Sequence, residues 1–167
     1  SIQRYNDSLV KAGTTDAFES FRKLDGIREI VEGIPDIVGH GYYQKLKLSL
    51  GDEKLTNEWH RITKNDDYGN PNLVEFEQSR NAASTTMRYA WNVIDMQNNK
   101  IALSNADIVE VGGGYGGLCR MIHEYHTPKS YTIIDIPEAL ALVERYLSKF
   151  SINVRLISCN DYDYEPI

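Results

Sequence analysis

The hydrophobic pattern of the chain changes character near residue 100. After that point, short β-branched runs alternate with segments whose apolar residues recur at helical spacing. Three strands are predicted, "DIVEV" (107–111), "SYTIIDI" (130–136) and "NVRLIS" (153–158), and the helices predicted between them are "GGLCRMIHEYH" (116–126) and "PEALALVERYLSKF" (137–150). Strands that alternate with helices pair in parallel through right-handed crossovers, so the pattern predicts an α/β fold.

The first hundred residues show mainly helical periodicity. In the segment 14–35, one stripe holds Ala17, Phe21, Leu24 and Val31, and Asp16 and Glu19 have the spacing of a capping box. A second helix is predicted over 79–100, where the repeating apolar positions are Ala83, Met87, Ala90 and Ile94. The looser stretch 40–72 is typical of helix fragments joined by a polar turn.

These patterns predict a helical accessory or lid region over 1–100 and a parallel-sheet region over 101–167. Three parallel strands are half of a Rossmann-like doubly wound sheet, whose further strands lie on the other side of the first strand. The sequence therefore predicts the N-terminal half of such a sheet, so that either these 167 residues are a fragment or the remaining strands are supplied elsewhere.

A glycine-rich turn follows the first strand of the sheet region, in "IVEVGGGYGGLCR" (108–120). Glycines at this place let the backbone turn sharply and let a ligand lie against main-chain N–H groups at the helix start. The pattern Gly112, Gly114, Gly117, with Asp135 at the end of the next strand, fits a dinucleotide fingerprint and hence NAD.

The same stretch also fits E-x-G-x-G-x-G, with Glu110 immediately before the glycines. A carboxylate beside a pyrophosphate would repel it, whereas a carboxylate beside an ammonium group would attract it. Glu110 therefore favours S-adenosylmethionine, which carries an ammonium and a sulfonium, over a dinucleotide.

On these residues, together with "YTIIDIPEAL" and "VRLISCNDY", the sequence over about 106–163 resembles the class I S-adenosylmethionine-dependent methyltransferases. Within them it looks most like the sugar O-methyltransferases, with a looser likeness to plant small-molecule O-methyltransferases. Glu110 and the glycines would then hold the methionine part, Asp135 the ribose, Ile136 the adenine ring, and Asn160 and Asp161 the adenine amino group. The cofactor-binding residues that the resemblance implies are Glu110, Gly112, Gly113, Gly114, Gly116, Asp135, Ile136, Asn160 and Asp161.

Each of these assignments has a structural alternative. Asp135 could instead cap the helix that begins at Pro137, and Asn160 and Asp161 could simply form a polar turn. The acidic tail, with Asp163 and Glu165, could hold the divalent cation that some sugar methyltransferases use, or could be an exposed loop.

Several other polar residues have a candidate chemistry beside a plainer role. Arg88 could bind the cofactor's carboxylate with its forked donors, or lie in solvent. His123 and His126 have metal-ligand spacing without a third ligand in sequence, His40 or His60 could act as a base toward a sugar hydroxyl, and Cys119 could be a reactive thiol. For all of these the sequence favours the structural role.

The composition of the chain limits the classes of partner and the cellular compartment that we expect. The net charge of −6 does not favour nucleic acid, and two cysteines give no disulfide framework. No apolar run approaches the roughly 20 residues of a membrane span, and no signal peptide is evident, so we expect a cytoplasmic protein that does not enter the membrane.

The leading hypothesis is methyl transfer from S-adenosylmethionine to a hydroxyl of a sugar, a glycoconjugate or another small molecule. No catalytic residue is assigned from the sequence. The alternatives are an NAD-dependent oxidoreductase domain and a cofactor-binding piece without catalytic activity.

Overall fold

The computed structural model of the chain describes residues 1–161. It is a mixed α/β fold with a three-stranded parallel sheet, a two-stranded antiparallel hairpin and several helices. The helices are α1 (Ile2–Thr14), α2 (Asp25–Ile30), α3 (Asp36–Leu50), α4 (Asp52–Thr63), α5 (Ser84–Asn98), α6 (Gly117–Tyr125) and α7 (Pro137–Ser148). The strands are β1 (Val74–Glu77), β2 (Arg80–Ala82), β3 (Asp107–Val111), β4 (Ser130–Asp135) and β5 (Arg155–Ser158).

The parallel sheet has the strand order β3-β4-β5, and the predicted α/β class is confirmed. Its strands lie where the alternating pattern predicted them, within two residues at each end. The helix α7 begins with Pro137 at its first position and has Arg145 in its last turn, which suits the helix dipole.

The two faces of this sheet differ sharply in exposure. One face is covered by helices: Ile133 is fully buried there, and Tyr131 packs against His123 of α6. On the opposite face, Val109 is 63% exposed and Val111 is 77% exposed. Among residues 1–161, no strand pairs with the outer edge of β3.

The N-terminal region packs against the helices of the sheet region. α1 lies along α7, and α5 lies against α6. One hydrophobic core runs through both parts, from Leu9 and Phe21 in the first to Met121 and Leu147 in the second. The division of the chain at residue 100 stays a prediction.

The predicted helix over 14–35 is wrong in detail. A 3-10 helix spans Asp16–Lys23, the backbone becomes extended at Leu24, and α2 follows as a separate short helix. The first turn of the 3-10 helix is capped by the hydroxyl of Thr15, which accepts from the Ala17 N–H. The predicted capping box between Asp16 and Glu19 does not provide this cap.

The helix predicted over 79–100 starts later than the pattern indicated. Ser79 has a φ of +65° in the turn of the β1–β2 hairpin, which sequence reasoning missed, and α5 begins only at Ser84. The Asp66 carboxylate accepts the N–H of Ala83, which fixes the chain at this start. The predicted core positions Met87 and Ala90 are buried.

A buried ion cluster connects distant parts of the N-terminal region. The guanidinium of Arg22 is inaccessible to solvent, donates to both carboxylate oxygens of Glu32 at 3.0 Å, and donates to Asp66 at 2.6 Å. It also lies 5.0 Å from the ring centroid of Tyr115, in the glycine-rich turn. The cluster therefore connects the N-terminal helices to a side chain of the glycine-rich turn.

No helix in the described part of the chain is long and apolar enough to cross a membrane.

Candidate functional site

The glycine-rich turn leaves β3 in a conformation that requires glycine at three positions. The φ angles are +77° at Gly112, +61° at Gly114 and +92° at Gly116, a region that other residues rarely adopt. The N–H of Gly112 donates to the Ile134 carbonyl at 2.9 Å, so the turn starts from the end of the sheet ladder. A Cβ built on Gly112 would meet no atom within 4 Å, so the space beside this residue is open.

A pocket of about 480 Å³ lies at this turn, at the carboxyl ends of the first two strands of the parallel sheet. Its volume is within the range of pockets that hold cofactors. The residues that the sheet and the turn contribute are Glu110, Gly112, Gly113, Gly114 and Asp135.

The opposite wall of the pocket comes from the N-terminal helices. α1 contributes Tyr5, α2 and the residue after it contribute Ile30 and Val31, and α5 contributes Arg88 and Tyr89 among others. Residues far apart in sequence thus meet over the glycine turn. Of these, sequence reasoning proposed only Arg88.

Glu110 is the most strongly perturbed acid at the pocket. Burial raises the pKa of its carboxyl from 4.5 to about 7, a hydrogen bond from Tyr131 opposes this rise, and the nearby Asp135 carboxylate adds to it. The Tyr131 hydroxyl donates to Glu110 Oε2 at 2.8 Å. A cation placed beside Glu110 would therefore meet a carboxylate that lacks a positively charged partner among the residues 1–161.

Asp135 is held against the glycine turn. Its Oδ2 accepts from the Gly114 N–H at 3.2 Å, and its Oδ1 accepts from the Ile136 N–H at 2.8 Å. The helix α7 has no side-chain cap hydrogen bond. The carboxylate thus already accepts from one main-chain amide of the glycine turn.

Among residues 1–161, Arg88 is the one positively charged side chain that lines this pocket. Its guanidinium carbon lies 5.0 Å from the ring centroid of Tyr89, and Nη2 approaches the Tyr89 hydroxyl at 3.4 Å.

Burial, the Asp135 carboxylate and Tyr89 raise the pKa of Tyr5, which also lines the pocket, to about 12. The Tyr5 hydroxyl is therefore a neutral hydrogen-bonding group at physiological pH.

Gly26 explains why α1 lies close enough to contribute Tyr5. A Cβ built on Gly26 would lie 2.5 Å from the Cα of Tyr5, so α1 and α2 approach each other at a distance that only glycine allows. A contact between two backbones has no local sequence signal.

Four of the residues that the resemblance implied do not line this pocket. A Cβ on Gly116 would lie 3.2 Å from Leu147, so this glycine serves the packing of α6 on α7. Ile136 packs on the hydrophobic core. Asn160 and Asp161 are exposed in the turn after β5, where their N–H groups donate to Ser158.

The other candidate residues from the sequence, two histidines and a cysteine of the α6 region, contact neighbouring protein groups. His126 contacts Gln97 and Ser104, and His123 Nδ1 lies 2.8 Å from the Cys119 carbonyl. Burial raises the pKa of the Cys119 thiol, which keeps it protonated.

The other two histidines lie apart from the pocket: His40 packs edge-on against Phe76, and His60 is exposed. No group of three metal-ligating side chains occurs within residues 1–161. The tail residues Asp163 and Glu165 lie outside the described residues.

Comparisons of the chain with protein-family models, with curated proteins and with solved structures gave no match.

Proposed function

We propose that the pocket at the glycine turn binds S-adenosylmethionine and that the chain is part of a methyltransferase. The observation that supports this most is the set of charges around one open glycine turn: two carboxylates, Glu110 and Asp135, and one guanidinium, Arg88. The ammonium and the carboxylate of an amino-acid ligand match Glu110 and Arg88 in sign, and Asp135 remains as an acceptor for hydroxyl groups.

The charges argue against a dinucleotide in the same pocket. A pyrophosphate would have to displace the Asp135 carboxylate from the Gly114 N–H and would then lie near Glu110 as well. Two like charges 4 Å apart repel by about 4 kcal/mol at the effective dielectric constant of a protein surface. An ammonium or sulfonium at the same place gains a comparable attraction.

The residues present fit the proposed cofactor in separate ways. Glu110 would bind the ammonium and Arg88 the carboxylate of the methionine part, because these side chains line the same pocket with opposite charges. Asp135 would accept from the ribose hydroxyls. The open space beside Gly112 would admit the methionine part of the cofactor. The side chains of Tyr5 and Val31, on the opposite wall of the pocket, would exclude water.

The fold type and the acceptor rest on the resemblance of 106–163 to sugar O-methyltransferases. In that family the sheet is doubly wound, and S-adenosylmethionine supplies an activated methyl group to a sugar hydroxyl. This chain would contribute the cofactor site and its alignment, and the proposed acceptor is a small hydroxyl compound. A divalent cation and the roles of Gly116, Ile136, Asn160 and Asp161 are expectations of the same resemblance.

Parallel calorimetric titrations of the chain with S-adenosylhomocysteine and with NAD test the cofactor. We expect saturable binding of S-adenosylhomocysteine and no binding of NAD at the same concentrations. Binding of NAD alone would overturn the proposal and favour the oxidoreductase.

Turnover separates an enzyme from a cofactor-binding piece. Transfer of labelled methyl groups to a panel of sugars, with and without a chelator, would identify the acceptor class and any need for a cation. Tight binding of S-adenosylhomocysteine without transfer to any acceptor would show that this chain alone is not the catalytic unit.

A further inference from the structure

A second cavity lies between helices of the N-terminal region and α6, away from the glycine turn. It has a volume of about 190 Å³ and is lined by the end of α3, by α4, by α5 and by α6. Its apolar walls are Leu50, Ile62, Ala90, Val93 and Ile94. An apolar cavity of about 150 Å³ is large enough to bind benzene, so this one has room for a single ring with a small substituent.

This cavity and the cofactor pocket lie on different sides of α5. At about 100° per residue, Arg88 and Asn92 lie on one side of the helix, and Ala90 and Val93 lie on the other. The first pair lines the cofactor pocket and the second lines the cavity. A molecule in the cavity would therefore not be next to a methyl group held at the glycine turn.

The polar groups that line the cavity are a cation, a carboxylate, a hydroxyl and the side-chain amide of Gln97. Lys54 and Glu58 of α4 line it, and Glu58 is also paired with Arg61 at 3.0 Å. Tyr125 of α6 lines it too, with Arg61 stacked 4.5 Å from its ring centroid. This combination of charges suits a neutral hydroxyl, which can accept from the ammonium and donate to the carboxylate.

Tyr125 adds an independent indication of a polar ligand. Its hydroxyl is buried beside the Glu58 carboxylate and makes no hydrogen bond of good geometry to the part of the chain that the structure describes. Burial, followed by the Glu58 carboxylate, raises the pKa of this phenol, so it keeps its proton and remains a donor. A buried donor without a well-placed partner costs up to about 1–3 kcal/mol, which a ligand oxygen would offset.

From this geometry we propose that the cavity is a second ligand site, which takes a small neutral ring compound with one hydroxyl. The ring lies against Val93 and Ile62, and the hydroxyl binds at the polar end formed by Lys54, Glu58 and Tyr125. The site is separate from the cofactor pocket, and it stands whether or not the proposed function is correct.

The test uses p-cresol and toluene as probes, which differ by the hydroxyl. Their binding to the chain is followed by ligand-observed NMR and by calorimetry, with saturating S-adenosylhomocysteine in a parallel sample. We expect p-cresol to bind at one site, toluene to bind roughly tenfold more weakly because it lacks the hydroxyl, and neither to be displaced by S-adenosylhomocysteine.

Two variants and one control locate the probe. Ala90→Leu should abolish binding of both probes because the added carbons fill the cavity. Tyr125→Phe should weaken p-cresol about tenfold and leave toluene unchanged, since only the hydroxyl is removed. Arg88→Met, on the other side of α5, should leave p-cresol binding unchanged.

Far-UV circular dichroism and thermal unfolding verify that each variant is folded, and Tyr125→Phe keeps the ring that packs under Arg61. The proposal is overturned if p-cresol fails to bind up to its solubility limit, or if it binds equally well to Ala90→Leu. It is also overturned if toluene and p-cresol bind alike, because the polar end would then contribute nothing.

Discussion

Replacement of Glu110 by glutamine should stabilise the fold while it weakens the proposed cofactor site. Glu110 is half-buried near the end of β3, and its carboxyl has a pKa of about 7 instead of 4.5. A carboxyl whose pKa is raised by folding binds its proton more tightly in the folded state than in the unfolded state. The contribution of Glu110 to the free energy of unfolding is therefore most favourable below pH 4.5 and is lost as the pH rises through about 7.

The size of the effect follows from this difference in pKa. A difference of one pKa unit corresponds to about 1.4 kcal/mol. Ionising Glu110 therefore costs roughly 3 kcal/mol more in the folded chain than in the unfolded chain at pH 8. Glutamine has no such cost, and its amide oxygen can still accept from the Tyr131 hydroxyl. The free energy of unfolding of Glu110→Gln relative to the wild type should therefore increase by up to about 3 kcal/mol between pH 4 and pH 8.

Urea unfolding of both proteins across this pH range measures the difference directly. In a chain of this size, 1 kcal/mol corresponds to about 2–4 °C in Tm, so thermal scans give a second readout. The same variant should bind S-adenosylhomocysteine more weakly. In the wild type the affinity should rise roughly eightfold between pH 6 and pH 7.5 as Glu110 ionises, and in the variant it should not.

Asp107→Asn is the matched control on the same strand. Asp107 is exposed, and hydrogen bonds from Ser130 and Lys129 lower the pKa of its carboxyl. Its loss should therefore give a small change of the opposite sign with pH and leave cofactor affinity unaltered. A Glu110→Gln difference that is flat from pH 4 to pH 8 would refute the reasoning about burial.

Three further substitutions test how the pocket is assembled. Gly26→Ala should reduce the free energy of unfolding by about 1 kcal/mol or more and should lower cofactor affinity, because the added Cβ would push α1 and Tyr5 away from the pocket. Urea unfolding and calorimetric titration measure the two effects. Arg22→Met should cost about 3–5 kcal/mol of stability because it leaves Glu32 buried without its cation, and equal stability in urea would contradict this. Arg88→Met should weaken S-adenosylhomocysteine about tenfold or more with little change in Tm, whereas unchanged affinity would remove Arg88 from the site.

The sequence predicted the sheet region better than the N-terminal region for a physical reason. β3, β4 and α7 follow from local signals, namely β-branched runs, a glycine turn and Pro137 at a helix start. The break at Leu24 and the hairpin around Ser79 depend on tertiary contacts and turn geometry, which hydrophobic periodicity does not contain.

The candidate site divides in the same way. Glu110, Gly112 and Asp135 are close in the sheet topology, so parallel pairing of two predicted strands was enough to bring them together. Tyr5 and Val31 reach the pocket only through the packing of α1 and α2, and no motif marks them.

The most direct test of the central claim is a titration of the ¹⁵N-labelled chain with S-adenosylhomocysteine, followed by amide chemical shifts. The Asp135 carboxylate accepts from the Gly114 and Ile136 N–H groups, so a ribose that binds Asp135 must alter both. We predict that the largest shifts occur at Gly112, Gly114 and Ile136. Saturable shifts that lie elsewhere, or none at millimolar ligand, would contradict a methyl-donor site at the glycine turn.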